Sequence, residues 1–230
     1  AKTTRALLGG SSKLNAQHLL FIRHGETIAN EQQLAYGVTE SPLNEKGIAQ
    51  AQAVGQCLKS WPTPYHRILS SPLERARHTA ELVNLPLNLD IEIDPGLIEC
   101  DLGDWEGITY QQMHDFGYAM HSIKDDTFEG HGGESPNAVY TRVNETLERA
   151  IARYPNQNLI FVSHGSAIAH GLAALLKTRP KFGYQYLMHN GAITEVVLTS
   201  APEILTLNNF EHLPAALRAE PGRPDNAQQA

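Results

Sequence analysis

Arginine, histidine and glycine follow one another at Arg23-His24-Gly25, directly behind the apolar run from Leu19 to Ile22. The pattern returns at Ser163-His164-Gly165, behind Leu159-Ile160-Phe161-Val162. A buried strand that ends in a reactive side chain delivers it to the carboxyl edge of a sheet, and the glycine lets the backbone turn sharply. Two such strands, parallel and adjacent, would bring their imidazoles together where open α/β sheets bind ligands. A second arginine comes from Arg75 or Arg77, which lie two positions apart and cannot point the same way on a helix. Arg75 is the better candidate, because it falls in the first turn, near the preceding strand end, where a helix N-terminus also favours anions. A carboxyl group comes from the acidic turn Glu99 to Gly107, with Glu99 ahead of Asp104 and Glu106. Two guanidiniums and two imidazoles suit a tetrahedral oxyanion, since arginine forks match phosphate oxygens in paired hydrogen bonds. A neutral histidine can attack phosphorus, with a reference pKa near 6.5, and a carboxyl group can protonate the leaving oxygen and then activate water. The two histidines should then differ in charge, His24 neutral to attack and His164 cationic against the phosphate.

The elements that must position these residues read as α/β: strands alternating with helices, a three-layer α/β/α sandwich over a mostly parallel sheet. After the first strand, Asn44 caps a helix whose inner face is Ile48, Ala51, Val54, Leu58 and Trp61, stopped by Pro62 and Pro64. Arg67 to Ser70 is a short buried strand, and Ser71-Pro72 opens the next helix, with Leu73, Ala76, Ala80 and Val83 facing inward. Leu89, Ile91 and Ile93 alternate as an outer strand, and residues 108–134 are an excursion over the site. Ser135-Pro136 begins a long amphipathic helix through Val139, Val143, Leu147, Ile151 and Tyr154. The second His-Gly strand, a helix from Ser166 to Leu176, and a hairpin of Ile193–Leu198 with Glu203–Leu207 complete the order. Residues 1–17 read as a flexible arm, 18–213 as one domain, and 214–230 as a disordered tail.

Composition narrows the partners. The 230 residues carry a formal net charge of -7, with 41% hydrophobic and 19% charged residues, as expected of a globular chain. That balance, without a Lys/Arg block, argues against nucleic acid. No apolar run approaches the roughly 20 residues that span a bilayer, and no signal-peptide core is visible, so no membrane partner is expected and the cytoplasm is the default compartment. Cys57 and Cys100 follow no metal or disulfide spacing, and Cys57 reads as a small buried hydrophobe. Oligomeric state leaves no mark on the sequence. His114, His121 and His131 read as surface or lid residues, and His170, His189 and His212 as ordinary structural ones.

In this order the motifs resemble the histidine phosphatase superfamily, in its phosphoglycerate-mutase-like branch. The matching pieces are Arg23-His24-Gly25-Glu26-Thr27 with Asn30, Ser41-Pro42-Leu43 with Gly47, and Ser70-Ser71-Pro72-Leu73 with Arg75-Ala76 and Thr79-Ala80. Glu99 with Gly103 and Trp105-Glu106-Gly107, then Gly132-Gly133-Glu134-Ser135 and Ser163-His164-Gly165, complete the set over residues 19–200. The resemblance implies that His24 becomes a phosphohistidine, that Arg23, Arg75, Asn30 and His164 hold the phosphoryl oxygens, and that Glu99 is the acid and base. It implies a metal-independent phosphoric monoester hydrolase with no cofactor, and a small-molecule phosphate monoester as partner. Glu26 and Glu134 read as supporting groups. Asn30 has a plainer alternative as a turn residue.

Within that family a phosphatase fits better than a mutase, which needs extra cations near the pocket. Cys100 and Asp101 follow Glu99, and Lys124 is the one Lys or Arg between 101 and 134. The turn Asp101 to Glu106 resembles small-molecule phosphatases, including those acting on α-ribazole phosphate. Acids in the 101–134 segment, if they line the leaving-group side, should also disfavour bisphosphates. Two other readings stand beside this one: a catalytically silent binding module, and a two-histidine, one-carboxylate metal site, opposed by the flanking arginines.

Overall fold

In the computed structural model, which describes residues 16–118 and 124–219, one six-stranded sheet carries helices on both faces. The strands are β1 (Gln17–Arg23), β2 (Arg67–Ser70), β3 (Asp90–Ile93), β4 (Leu159–Ser163), β5 (Ile193–Leu198) and β6 (Pro202–Asn209). Their order across the sheet is β3-β2-β4-β1-β5-β6. The pairs β1–β4, β4–β2 and β2–β3 are parallel, and β5 runs antiparallel to both β1 and β6. The sheet is therefore mostly parallel, as the alternating pattern implies.

A strand buried on both faces needs a continuous apolar run, and Leu19 to Ile22 of β1 supply it. Leu19 and Phe21 join one core, with Val139, Val143 and Leu147 of α5 (Pro136–Arg153) and Leu172 of α6 (Gly165–Leu175). Leu20 and Ile22 join the other, with Val54 and Leu58 of α2 (Glu45–Lys59) and Ala76, Ala80 and Val83 of α3 (Glu74–Asn84). Phe21 stacks on Phe161 of β4 at a ring separation of 5.3 Å, locking the two central strands together. The expected Asn44 cap forms, accepting from the Gly47 amide, and at the expected start of α5 Ser135 accepts from the Ala138 amide.

The structure departs from the sequence reading in four places. Gln17 already belongs to β1, where its side-chain amide donates to the Tyr154 and Gln157 carbonyls, so the arm cannot extend to residue 17. At the other end the chain stays packed past Leu213: Gln50 donates to the Leu217 carbonyl, and Arg218 to those of Leu213 and Glu211. Residues 1–15 and 220–230 lie outside the described residues. The third departure is the start of α3, which begins at Glu74 rather than at Ser71-Pro72. Ser71 still donates its amide to Val162 of β4, so hydrogen bonding to the sheet continues one residue past β2, and Glu40 caps the helix by accepting from the Glu74 amide. Cys57 is half-buried rather than buried, whereas Cys100 is buried. Among the described residues no helix is long and apolar enough to cross a membrane.

Candidate active site

Arg23 pairs with Ser163 in the parallel β1–β4 register, so the next residue of each strand is a histidine. The His24 amide donates to the Ser163 carbonyl, and the two imidazole centroids lie 5.2 Å apart with planes tilted by 59°. His24 Nδ1 stands 2.7 Å from the Gly25 carbonyl oxygen. A carbonyl only accepts, so Nδ1 carries the proton and Nε2 of the neutral ring keeps its lone pair. Burial first, then the Arg75 and Arg23 guanidiniums, hold His24 well below the usual histidine range. The ring is thus neutral at physiological pH, with its tautomer set for attack through Nε2.

His164 is neutral as well, and here the structure corrects the expectation of a cation. Arg75 Nε donates to His164 Nδ1 at 3.2 Å, so Nε2 bears the proton and donates to Ser71 Oγ at 2.7 Å. Burial, followed by Arg75, His24 and Arg23, holds its pKa well below the usual range. Opposite charges on the two rings would require an anion in the pocket to offset the guanidiniums.

Both arginines are sequestered. Arg23 is 1% exposed, donates Nη1 to the Met188 carbonyl, and leaves Nε with no hydrogen-bond partner. A Cβ on Gly165 would stand 3.6 Å from that Nε and 3.9 Å from Glu99 Oε2, so the glycine keeps the space between them open. Arg75, not Arg77, points inward, with Nη1 and Nη2 donating to the carbonyls of Thr39 and Gly37. Burial lowers its pKa, while Glu99, Glu40 and Glu106 oppose that effect.

Of the three competing acids, only Glu99 lies in the site. It is 9% exposed and grips the start of α6: Oε2 accepts from the Ser166 amide, and Oε1 from those of Ala167 and Cys100. Asp104 is exposed. Glu106 is consumed by bracing, since it accepts from the Gly37, Val38, Thr39 and Leu102 amides. Glu26 is held by Asn44 and Lys46, and Glu134 by Arg142, as supporting groups. Asn30 shows the plainer of its suggested characters, as a turn residue in the first turn of α1 (Ile28–Glu31). It completes a capping box with Thr27, and its Oδ1 accepts from Asn190, whose amide also donates to the His24 carbonyl. Asn190 is a support that motif matching did not single out, whereas Ser71 and Thr79, which accepts from the Gly25 amide, are matched motif residues that now gain a role. With both ring nitrogens of His164 engaged, Glu99 bonded to three amides and guanidiniums beside them, these residues do not fit a metal site. Cys100 is no nucleophile either: burial, then Glu99, pushes its thiol well up.

Beside Glu99 a cleft of about 800 Å³, open mouth included, is lined by Tyr36, Tyr110, Met113, Tyr118, His170 and Lys181 among others. The excursion does contribute a wall, through α4 (Tyr110–Asp115) and Tyr118. Its acids do not. Asp115, Asp125 and Glu129 are exposed, Asp126 pairs with Arg179, and Asp101 accepts from the Gly103 amide. The expected repulsion of a second phosphate therefore has no source in this wall, which is aromatic and apolar. His114 is exposed, as expected, and His121 falls outside the described residues. His131 is buried rather than superficial, its ring 4.6 Å from that of Trp105.

Known proteins resemble this chain in sequence and fold. The chain is 37% identical over 163 residues to the adenosylcobalamin/alpha-ribazole phosphatase of Salmonella typhimurium, covering 69% of this chain and 79% of that one. It is 33% identical over 175 residues to the glucosyl-3-phosphoglycerate phosphatase of Mycobacterium tuberculosis, covering 71% and 77%. The solved structure of mycobacterial glucosyl-3-phosphoglycerate phosphatase superposes with a TM-score of 0.74 at 28% identity, over 84% of this chain and 99% of that one. Phosphoserine phosphatase from Entamoeba histolytica, in its complex with 3-phosphoglyceric acid, superposes with a TM-score of 0.76 at 26% identity, over 86% and 100%. Residues 19–210 match the histidine phosphatase superfamily (branch 1), and the chain belongs to that family, as a phosphatase that works through a phosphohistidine.

Proposed function

We propose that this chain hydrolyses monophosphate esters of small metabolites, with His24 as nucleophile and Glu99 as acid and base. The observation that carries the assignment is the bond from His24 Nδ1–H to the Gly25 carbonyl, which leaves Nε2 unprotonated between two buried arginines. Nε2 forms the new bond to phosphorus as the bond from phosphorus to the leaving oxygen breaks, and Glu99 supplies the proton to that oxygen. Water then attacks the phosphohistidine, gives its proton to Glu99, and frees His24 and inorganic phosphate. Arg23, Arg75, Asn30 and His164 bind the phosphoryl oxygens, whose charge is stabilised in a water-poor pocket by groups already in place. Rapid quenching after mixing with radiolabelled phenyl phosphate should trap an acid-labile, base-stable phosphoenzyme. His24→Ala should yield no phosphoenzyme and lose at least about 10³-fold in kcat, the scale on which removal of a nucleophile is felt. Near-normal turnover by that variant would remove His24 from the scheme.

A further inference from the structure

The cleft also holds a histidine that the reaction above does not use. His170 lies on α6, in the wall that the leaving group must pass. Its Nδ1 sits 2.8 Å from the Ser166 carbonyl oxygen and 3.2 Å from Ser166 Oγ. The carbonyl can only accept, so Nδ1 carries the proton and Nε2 presents a lone pair. Among the described residues Nε2 has no hydrogen-bond partner, while the ring lines the cleft beside Glu99, Ser166 and Tyr118. Gly183 fixes the ring's position: a Cβ there would stand 3.2–3.4 Å from three of its atoms, so the backbone lies flat against it.

Burial holds this imidazole low, only partly offset by the Ser166 carbonyl and by Glu99, so the acceptor persists at neutral pH. An acceptor in a cleft wall loses its water when a ligand covers it, and so discriminates against ligands that bring no donor in exchange. Around it stand tyrosine rings, Tyr36, Tyr110 and Tyr184, with Lys181 as the cation of the wall. Ring faces pack against carbon skeletons, and a neutral acceptor answers a hydroxyl or N–H.

We propose that His170 is a specificity-determining residue whose Nε2 accepts a hydrogen bond from the leaving group, selecting phosphate monoesters of hydroxyl-bearing alcohols over those of simple alkyl alcohols. This rests on the phosphatase reading of the same site. The test compares kcat/KM for ribose 5-phosphate, ethyl phosphate and p-nitrophenyl phosphate in the wild type, His170→Ala and His170→Gln. The wild type should prefer ribose 5-phosphate to ethyl phosphate, and His170→Ala should reduce that ratio at least about fivefold, the worth of one neutral hydrogen bond. Glutamine, which restores an acceptor, should recover part of the ratio. Should the alanine variant unfold, His170→Phe keeps a ring against Gly183, lacks the acceptor, and is read the same way. A ratio unchanged in the variants, or no preference in a wild type that turns over p-nitrophenyl phosphate, overturns the inference and leaves the phosphatase reading intact. A wild type that releases phosphate from none of the three overturns both.

Discussion

Glu99 has two tasks at once, and their overlap makes it testable. The carboxylate accepts from three backbone amides, two of them at the start of α6 and one from Cys100, so it is rigidly held while one edge of it faces the pocket past Gly165. Glu99→Gln keeps the shape and removes the proton, but turns an amide N–H₂ toward one of those donors. A structural loss of this kind should fall equally on every substrate. Loss of a general acid falls on esters whose leaving oxygen needs a proton, with a scale of about 10²–10⁴-fold. The variant should therefore lose about 10²-fold or more on ethyl phosphate and less than about tenfold on p-nitrophenyl phosphate. Equal losses on the two would assign Glu99 a purely structural role.

Glu106 shows how an element holds a residue at a distance. Its carboxylate gathers the amides of residues 37–39, and the carbonyls of Gly37 and Thr39 in the same loop hold the Arg75 guanidinium. The loop also packs tightly elsewhere, since a Cβ on Gly37 would collide with the Cys100 carbonyl. Glu106→Ala strands these amides and frees the loop, so Arg75 should lose its fixed aim. Hydrogen bonds to a charged group are worth about 1.5–3 kcal/mol, and a loss on that scale should appear in the unfolding free energy. As a positioning residue, Glu106 should also show itself in phosphate affinity: inhibition by inorganic phosphate should weaken about tenfold or more in the variant. Lower stability with unchanged phosphate inhibition would confine Glu106 to the fold.

At the scale of the whole molecule, burying histidines beside fixed cations ties stability to pH. His24, His164 and His170 are all held below the ordinary value, in each case first by burial. The unfolded chain then binds more protons than the folded one wherever pH lies between the depressed values and about 6.5. Stability is fully present above that reference value and declines as pH falls through it, by about 1.4 kcal/mol per pH unit for each histidine kept unprotonated. Unfolding midpoints in urea should accordingly drop between pH 7 and pH 5. Phosphate added at pH 6 should raise them, because an anion in the pocket offsets the guanidiniums that keep His24 and His164 neutral. A midpoint that is flat or rises on acidification would contradict the burial of these rings.

The sequence by itself determined the strand ends and the chemistry they carry. Continuous apolar runs before Arg23-His24 and before Ser163-His164 require strands buried on both faces, and alternation with amphipathic helices requires layers around them. Helical spacing separated Arg75 from Arg77, and a place in the first turn near the preceding strand end favoured Arg75. Other features depended on contacts between segments far apart in the chain. The start of α3 was decided by Ser71 pairing with β4, which no local pattern announces. The neutrality of His164 was decided by its burial and then by an arginine 89 positions away that donates to it. The acids of residues 101–134 looked like a charged wall in one dimension, yet in the fold Asp126 and Glu134 find arginines and Glu106 finds amides. Charge on a chain is local, but which groups it meets is set by packing. For the same reason His170, unremarkable in sequence, owes its open acceptor to the Ser166 carbonyl behind it and the cleft in front.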